Sequence, residues 1–453
     1  MRMIKRCVVA LAATTALGAC SLELQSPNSP TESQVTSSPD GIIALATGLQ
    51  GRFAASSFNY AYMAGLVTDE FSATSAALIS ISDAEQGSVP PGTGIADNVF
   101  NSIYRTVRTA DELLAGADRL AGSFDAGTRS GLKALAYTIK AEALGEALQS
   151  YQRLPINTYN VTQPTYVSRA QALVVVRALL DSAVAQLAGT PASPFFTNSI
   201  LTPGVSLPNM MQMYRARYAR IDNDFATALA ASNIVARSGT AAVSSFTYPA
   251  PGVNPYSNVT GGTNGIAPRR QFRTSMDALD QRFNFFVIPS TTLTGRISAP
   301  LDPFSIRFAI ASATQPVYFP DEALLIKAEA LATQGNLAGA VAALDSVRTD
   351  CTGGRGIDDP KACLPTYSGA QTQSAILAEV YAQRRFELFS TGSRWEDSRR
   401  RNLIRGLTTG QTIPVDGQRC WLPYAFGERN ANRDNVPADP AEPTTFPSGC
   451  TFQ

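Results

Sequence analysis

The sequence predicts a mostly α-helical protein in which tetratricopeptide-like helical hairpins form a scaffold, broken by a long loop-rich insertion carrying short strands. Three observations predict it. Residues 318–348 read as two short amphipathic helices folded back on each other, the same pattern recurs 112 residues earlier, and between residues 238 and 315 the helical rhythm stops.

In the first hairpin, Asp321 and Glu322 stand in the opening turn of a helix, where the helix dipole favours acids. Leu324, Leu325, Ala328, Leu331 and Ala332 then make one apolar stripe at helical period. Gly335 suits a left-handed residue that closes this helix, and Asn336 can cap the next, whose stripe is Leu337, Ala340, Val341, Leu344 and Val347. Neither helix can bury its stripe alone, and the many alanines let two backbones approach closely. Shifted by 112 residues, Phe225 falls on Leu337 and Ala226, Ala228, Ala230 and Ala231 fall on Ala338, Ala340, Ala342 and Ala343. Alanine is also the best helix former, so the match alone does not exclude coincidence.

At the N-terminus, Arg2, Lys5 and Arg6 precede an apolar run over residues 8–17 that is too short to span a bilayer as a mature helix. It reads as a secretory signal peptide, residues 1–19. Leu17-Gly18-Ala19-Cys20 resembles the bacterial lipobox, which implies that Cys20 is lipidated and anchors the chain to a membrane. The polar, proline-broken stretch that follows completes a flexible tether, residues 20–40, ahead of a helical domain over 41–453. Helices are expected over 41–49, 98–120, 132–148, 170–187 and 375–389, with an aromatic-rich segment at 58–71 and a loop at 72–97.

Composition narrows the function. With 37 basic against 36 acidic residues the net charge is +1, so no global field recruits nucleic acid. The absence of histidine removes the commonest general base and metal ligand. Setting aside Cys7 in the signal and Cys20 leaves Cys351, Cys363, Cys420 and Cys450, an even number in an oxidising compartment. Two disulfides are the simple reading, 351–363 closing a glycine-rich loop and 420–450 tying down a tail over 420–453, although spacing leaves connectivity open. A four-cysteine metal site is the rival, and no CxxC spacing supports it.

Catalytic motifs are sparse. Ser130 and Lys133 form a literal S-x-x-K, but no K-T-G follows, so Ser130 reads as a helix cap. Gly92, Gly94, Gly261, Gly262 and Gly265 are not set between a strand and a helix as a phosphate loop requires. Carboxylates such as Asp69, Glu70, Asp83, Glu85, Asp111 and Glu112 could serve a glycosidase only at a separation that sequence does not reveal. No catalytic residue, cofactor or metal is expected. Binding remains, for which aromatic faces and amide or hydroxyl groups are the usual means. The candidates are Tyr60, Tyr62 and Phe71 around the early loop and Phe246, Tyr248 and Tyr256 in the insertion; for each, core packing or loop anchoring is the plainer role.

Near the C-terminus, Arg384-Arg385-Phe386-Glu387-Leu388, then Gly392, Arg394-Trp395, Asp397 and Arg399-Arg400, resembles the pattern R-x-x-E-L-x-x-E-G-x-R-W-x-D-L-x-R of SusD/RagB-type outer-membrane lipoproteins. The stretch 318–330 is similar to that family's R-x-A-E-v-x-L-x-x-A-E-A, and Trp421-Leu422-Pro423 with Glu428, Asn430 and Asn432 to its closing L-P-I-P-x-x-E-x-x-x-N. The resemblance implies a non-enzymatic lipoprotein on the outer surface of a bacterial outer membrane. Such a protein captures a nutrient, a glycan or peptide oligomer, and sits like a lid on a SusC-type TonB-dependent transporter. Ser390 and Thr391 depart from the pattern, and the extra tryptophans that mark sugar-stacking platforms in glycan-binding members are absent. Arg384, Glu387, Arg394, Trp395 and Asp397 alternate at helical spacing, as an internal ion-pair and packing network would rather than a ligand site. A helical-repeat adaptor lipoprotein without a small ligand is the alternative.

Overall fold

The computed structural model describes residues 36–242, 244–248, 252–351, 358–403, 419–442 and 450; the signal peptide, Cys20 and most of the tether lie outside them. The fold begins with α1 (Pro39–Leu66), 28 residues long, whose start is fixed by Pro39 and by Ser38, which accepts from the Gly41 amide. Sequence reading split this helix in two. Gly48 and Gly51 weaken it but do not break it, because Ile42, Ala46, Leu49 and Phe53 continue one buried stripe across them. The expected loop at 72–97 holds β1 (Phe71–Ala73), α2 (Ile79–Glu85) and the start of α3 (Gly94–Arg119).

Next comes α4 (Ala126–Ser150), capped by Asp125 accepting from the Thr128 amide. Ser130 is therefore not the cap: it lies inside α4, and its hydroxyl donates to the Gln186 carbonyl. A short antiparallel pair, β2 (Arg153–Pro155) with β3 (Tyr166–Ser168), leads into α5 (Arg169–Gly189), which opens with a capping box between Ser168 and Gln171 and lies against α4.

The repeat follows as α6 (Leu207–Ile221) and α7 (Phe225–Ile234). After the insertion its counterpart is α11 (Asp321–Thr333) and α12 (Leu337–Arg348). The correspondence extends to the turns. Asp224 caps α7 on the Thr227 amide as Asn336 caps α12 on the Gly339 amide, and Asn223 takes the left-handed conformation that Gly335 takes 112 residues later. Asn and Gly are the residues that tolerate positive φ, so the turn chemistry is equivalent where the letters differ. The hairpins pack together through α7 and α11, and Ala228 and Ala231 of α7 are buried.

Between the hairpins, the insertion carries β4 (Ser245–Phe246), β5 (Ile266–Pro268) and three helices of a single turn, α8 (Arg270–Thr274), α9 (Phe283–Phe286) and α10 (Ile306–Ala309), and ends at β6 (Gln315–Pro316). Two antiparallel pairs attach it to the scaffold: β5 runs beside β1, and β4 beside β6. Phe71, Phe272, Phe286, Phe304, Phe308 and Phe389 fill the seam with edge-on and stacked rings.

The C-terminal part comprises α13 (Gln373–Glu387), α14 (Ser393–Arg400) and α15 (Phe426–Ala431), with disulfides joining Cys351 to Cys363 and Cys420 to Cys450. The motif residues here are buried. Asp397 accepts from Arg384 at 2.7 Å and from Arg220 of α6 at 2.8 Å, while Arg220 also pairs with Glu329 of α11. Arg394 and Arg385 reach back to Asp69, and Glu387 faces Arg282. Trp395 and Trp421, the only two tryptophans, are enclosed, and the Arg399 guanidinium lies between their rings.

Candidate ligand-binding site

The C-terminal half of α1, one face of α4, the β4–β6 pair and the turn between α13 and α14 line two adjoining chambers. Ala54, Phe246, Tyr248 and Val317 belong to both. The site exists because β4 lays the insertion against α1: Phe246 meets Phe53 edge-on, with ring centroids 5.2 Å apart.

The first chamber is a narrow slot of about 70 Å³ with a polar floor. Glu142, Glu146 and Gln149 come from successive turns of α4, a polar row in an otherwise apolar helix. Glu142 accepts from Arg217 at 2.7 Å and from the Tyr218 hydroxyl at 2.8 Å, and Arg217 forks its other nitrogens onto Glu322. Glu146 accepts from Ser57 at 2.6 Å and Ser56 at 3.0 Å. Burial, reinforced by the neighbouring Glu142, pushes the Glu146 carboxyl up to about 8, so at pH 7 it is mostly protonated. Burial also raises Glu142, against the pull of Arg217.

On the opposite wall, the turn from Ser390 to Ser393 belongs to the motif segment. Gly392 has φ +80°, and a Cβ there would stand 2.4 Å from the Tyr60 ring, so glycine is required twice over. The ionic residues of the motif are scaffolding, but its turn is a wall of the site.

The second chamber is larger, about 370 Å³, and mainly apolar, with Phe53, Leu135, Ile139, Met210 and Val253 among its walls. Its polar lining residues are Gln50, Thr202, Ser245, Thr247 and Tyr248; the amide nitrogen of buried Gln50 donates to the Ala46 and Ile200 carbonyls, and its oxygen accepts from the Thr202 amide.

Of the six aromatic candidates, Tyr60, Phe246, Tyr248 and Tyr256 come together around the slot. Phe246 and Tyr248 are half-buried and face it. Tyr60 and Tyr256 are nearly buried, with hydroxyls engaged by Gln149 and Gly392 and by Ser390. Tyr62 and Phe71 are elsewhere. Tyr62 donates to the Asn264 carbonyl, and Phe71 is a fully buried core residue between Phe304 and Phe389, which removes both from the set that could meet a ligand here. Sequence reading missed Phe53, Phe58, Glu142, Glu146, Gln149 and Arg217; the spacing of the two glutamates and the glutamine inside an apolar helix was the available signal. Elsewhere, Asp321, Asp350 and Asp359 gather carboxylate oxygens within 4.8 Å of one another, and Lys361 donates to the latter two.

Residues 316–436 match the sequence model of the SusD family. Solved structures share the whole fold. A SusD superfamily protein from Bacteroides fragilis superposes with a TM-score of 0.69 at 12% identity, covering 90% of this chain and 99% of its own. Over residues 316–436 the sequence is that of the SusD family, and over nearly its whole length the chain has the fold of the solved SusD superfamily structures. A SusD-like carbohydrate binding protein from Bacteroides fragilis gives 0.67 at 13% identity, with 89% and 100% covered. Surface glycan-binding protein A from Bacteroides uniformis gives 0.66 at 13%, with 86% and 99% covered. No curated protein matches the sequence. The matched segment begins at the last residue of β6 and contains both helices of the second hairpin, the motif and the turn that walls the site.

Proposed function

We propose that this chain is a non-enzymatic binding lipoprotein that captures an extracellular nutrient oligomer, glycan or peptide, in the cavity between α1 and the insertion. It then delivers the cargo to a SusC-type TonB-dependent transporter. The observation that supports this most is the cavity itself, an aromatic-walled site open to solvent beside hydrogen-bonding groups, on a fold whose solved relatives include proteins named for carbohydrate or glycan binding. Anchoring through acyl chains on Cys20 at the outer membrane completes the reading. Phe246 and Tyr248 are the aromatic contacts, and Gln149, Gln315 and the Ser390–Ser393 turn the polar ones.

The test is calorimetric titration of the mature chain with panels of oligosaccharides and peptides, alongside Phe246→Ala. Saturable binding that weakens at least tenfold in the variant, with the cargo recovered uncleaved, is the expected result. Hydrolysis of the cargo, or binding that ignores Phe246, overturns the reading. Mass spectrometry of the N-terminal peptide from membrane-extracted protein reports the acyl chains on Cys20.

A further inference from the structure

Most of the room in the site is apolar, and this bears on what the cargo must be; the reasoning rests on the capture function proposed above. A sugar hydroxyl buried without a hydrogen bond is strongly disfavoured. The buried part of the larger chamber supplies few such bonds: Gln50 spends both ends of its amide on backbone groups, the buried walls are Phe53, Leu135, Ile139 and Met210, and the hydroxyls of Thr202, Ser245, Thr247 and Tyr248 stand on its half-buried side. Hydroxyl partners are concentrated next door, in the slot floored by Glu146, Gln149 and Ser57. That slot also offers no cation to an anionic cargo and no exposed carboxylate to a cationic one, because the Arg217 guanidinium is shared between the buried Glu142 and Glu322 and Glu146 is mostly neutral at pH 7.

We infer that the cargo is a neutral amphiphile, a hydroxyl-bearing molecule carrying an alkyl or aryl substituent, with the substituent seated between Phe53, Ile139 and Val253 and the hydroxylic part in the slot. The chamber volume lies in the range of ordinary small-ligand pockets, and its rim at Gly51, Ala55 and Val253 is exposed, which gives the substituent a way in.

Gly51 supplies the test. It lies within α1 on the chamber rim, and a Cβ built there meets nothing within 4 Å. Gly51→Phe therefore adds a ring at the mouth with no clash at its Cβ, and Gly51→Ala is the control. Three probes are titrated into the mature chain: octyl β-glucoside below its micelle-forming concentration, methyl β-glucoside, and unsubstituted cellohexaose. The expected result is that the octyl compound binds at least a hundredfold tighter than the methyl one, the increment for about four buried methylenes. Gly51→Phe, with unchanged thermal unfolding, should lose at least tenfold of that affinity, and Gly51→Ala should retain it. Equal affinity for the octyl and methyl probes, or octyl binding indifferent to Gly51→Phe, overturns the inference. Tight cellohexaose binding with no gain from the octyl chain overturns it while leaving the capture function standing. Failure of all three probes to bind also overturns the inference, while the capture function stands or falls on the panel of oligosaccharides and peptides above.

Discussion

Replacing Asp397 by alanine should be among the most damaging single changes in this chain. Its carboxylate is almost fully buried and accepts from two guanidinium groups, Arg384 at 2.7 Å and Arg220 at 2.8 Å. Burial favours the neutral acid, but Arg220 and Arg384 outweigh it and hold the group well below the usual carboxylate range. Asp397→Ala strips Arg384 of this ion pair and leaves Arg220 to Glu329, with both cations still buried. Uncompensated charge of this kind costs about 3–5 kcal/mol. With an unfolding entropy of about 2.1 cal/mol/K per residue over a body of roughly 400 residues, that is a fall in Tm of about 4–6 °C. Calorimetry at pH 7 with the disulfides intact measures it, and the double variant Arg384→Met with Asp397→Leu should recover part of the loss. A single variant that melts within about 1 °C of the parent would refute the reasoning.

Glu146 makes the opposite kind of prediction. Its folded-state pKa of about 8 lies above the ordinary 4.5, so its contribution is full below pH 4.5 and is lost as pH rises toward 8. Glu146→Gln should therefore flatten the stability profile between pH 5 and 8 and stabilise most at the alkaline end, as urea midpoints across that range will show; an unchanged slope would count against it. Opening the Cys420–Cys450 bridge by Cys→Ser at both positions releases a 30-residue separation, and the chain-entropy estimate for such a loop is about 3–4 kcal/mol, readable as a lower denaturation midpoint. Gly145→Ala places a methyl 1.8 Å from the Tyr218 hydroxyl, which must leave Glu142; about 1–3 kcal/mol of destabilisation is expected, and a variant as stable as the parent would show that Tyr218 can move freely.

The helical scaffold was legible because its hairpins announce themselves locally. A stripe of leucines and alanines, a glycine or asparagine in the turn and a side-chain cap all lie within about thirty residues. The first helix was less legible: the sequence reading ended it at Leu49, and only burial against neighbouring helices shows that the stripe runs on through Gly51 to Phe53 and beyond. The site was legible in part. Phe246 and Tyr248 stand in a polar stretch where an aromatic is conspicuous, whereas Phe71 looked the same on paper and is core, because which side of a strand a ring faces is decided by the partner strand, here β5. Glu142 and Glu146 were hidden for a related reason: inside an apolar helix, only the arrival of Arg217, Ser56 and Ser57 from other helices shows what they face.

The pairing of Asp69 with Arg394 spans 325 positions of sequence. The carboxylate just past the opening helix thus meets its cations, Arg385 and Arg394, only after most of the polypeptide has been made, so early hairpins can form while the seam that joins the two ends must wait. A chain halted before α13 would leave that acid without either cation and beside unshielded phenylalanines, an aggregation-prone species.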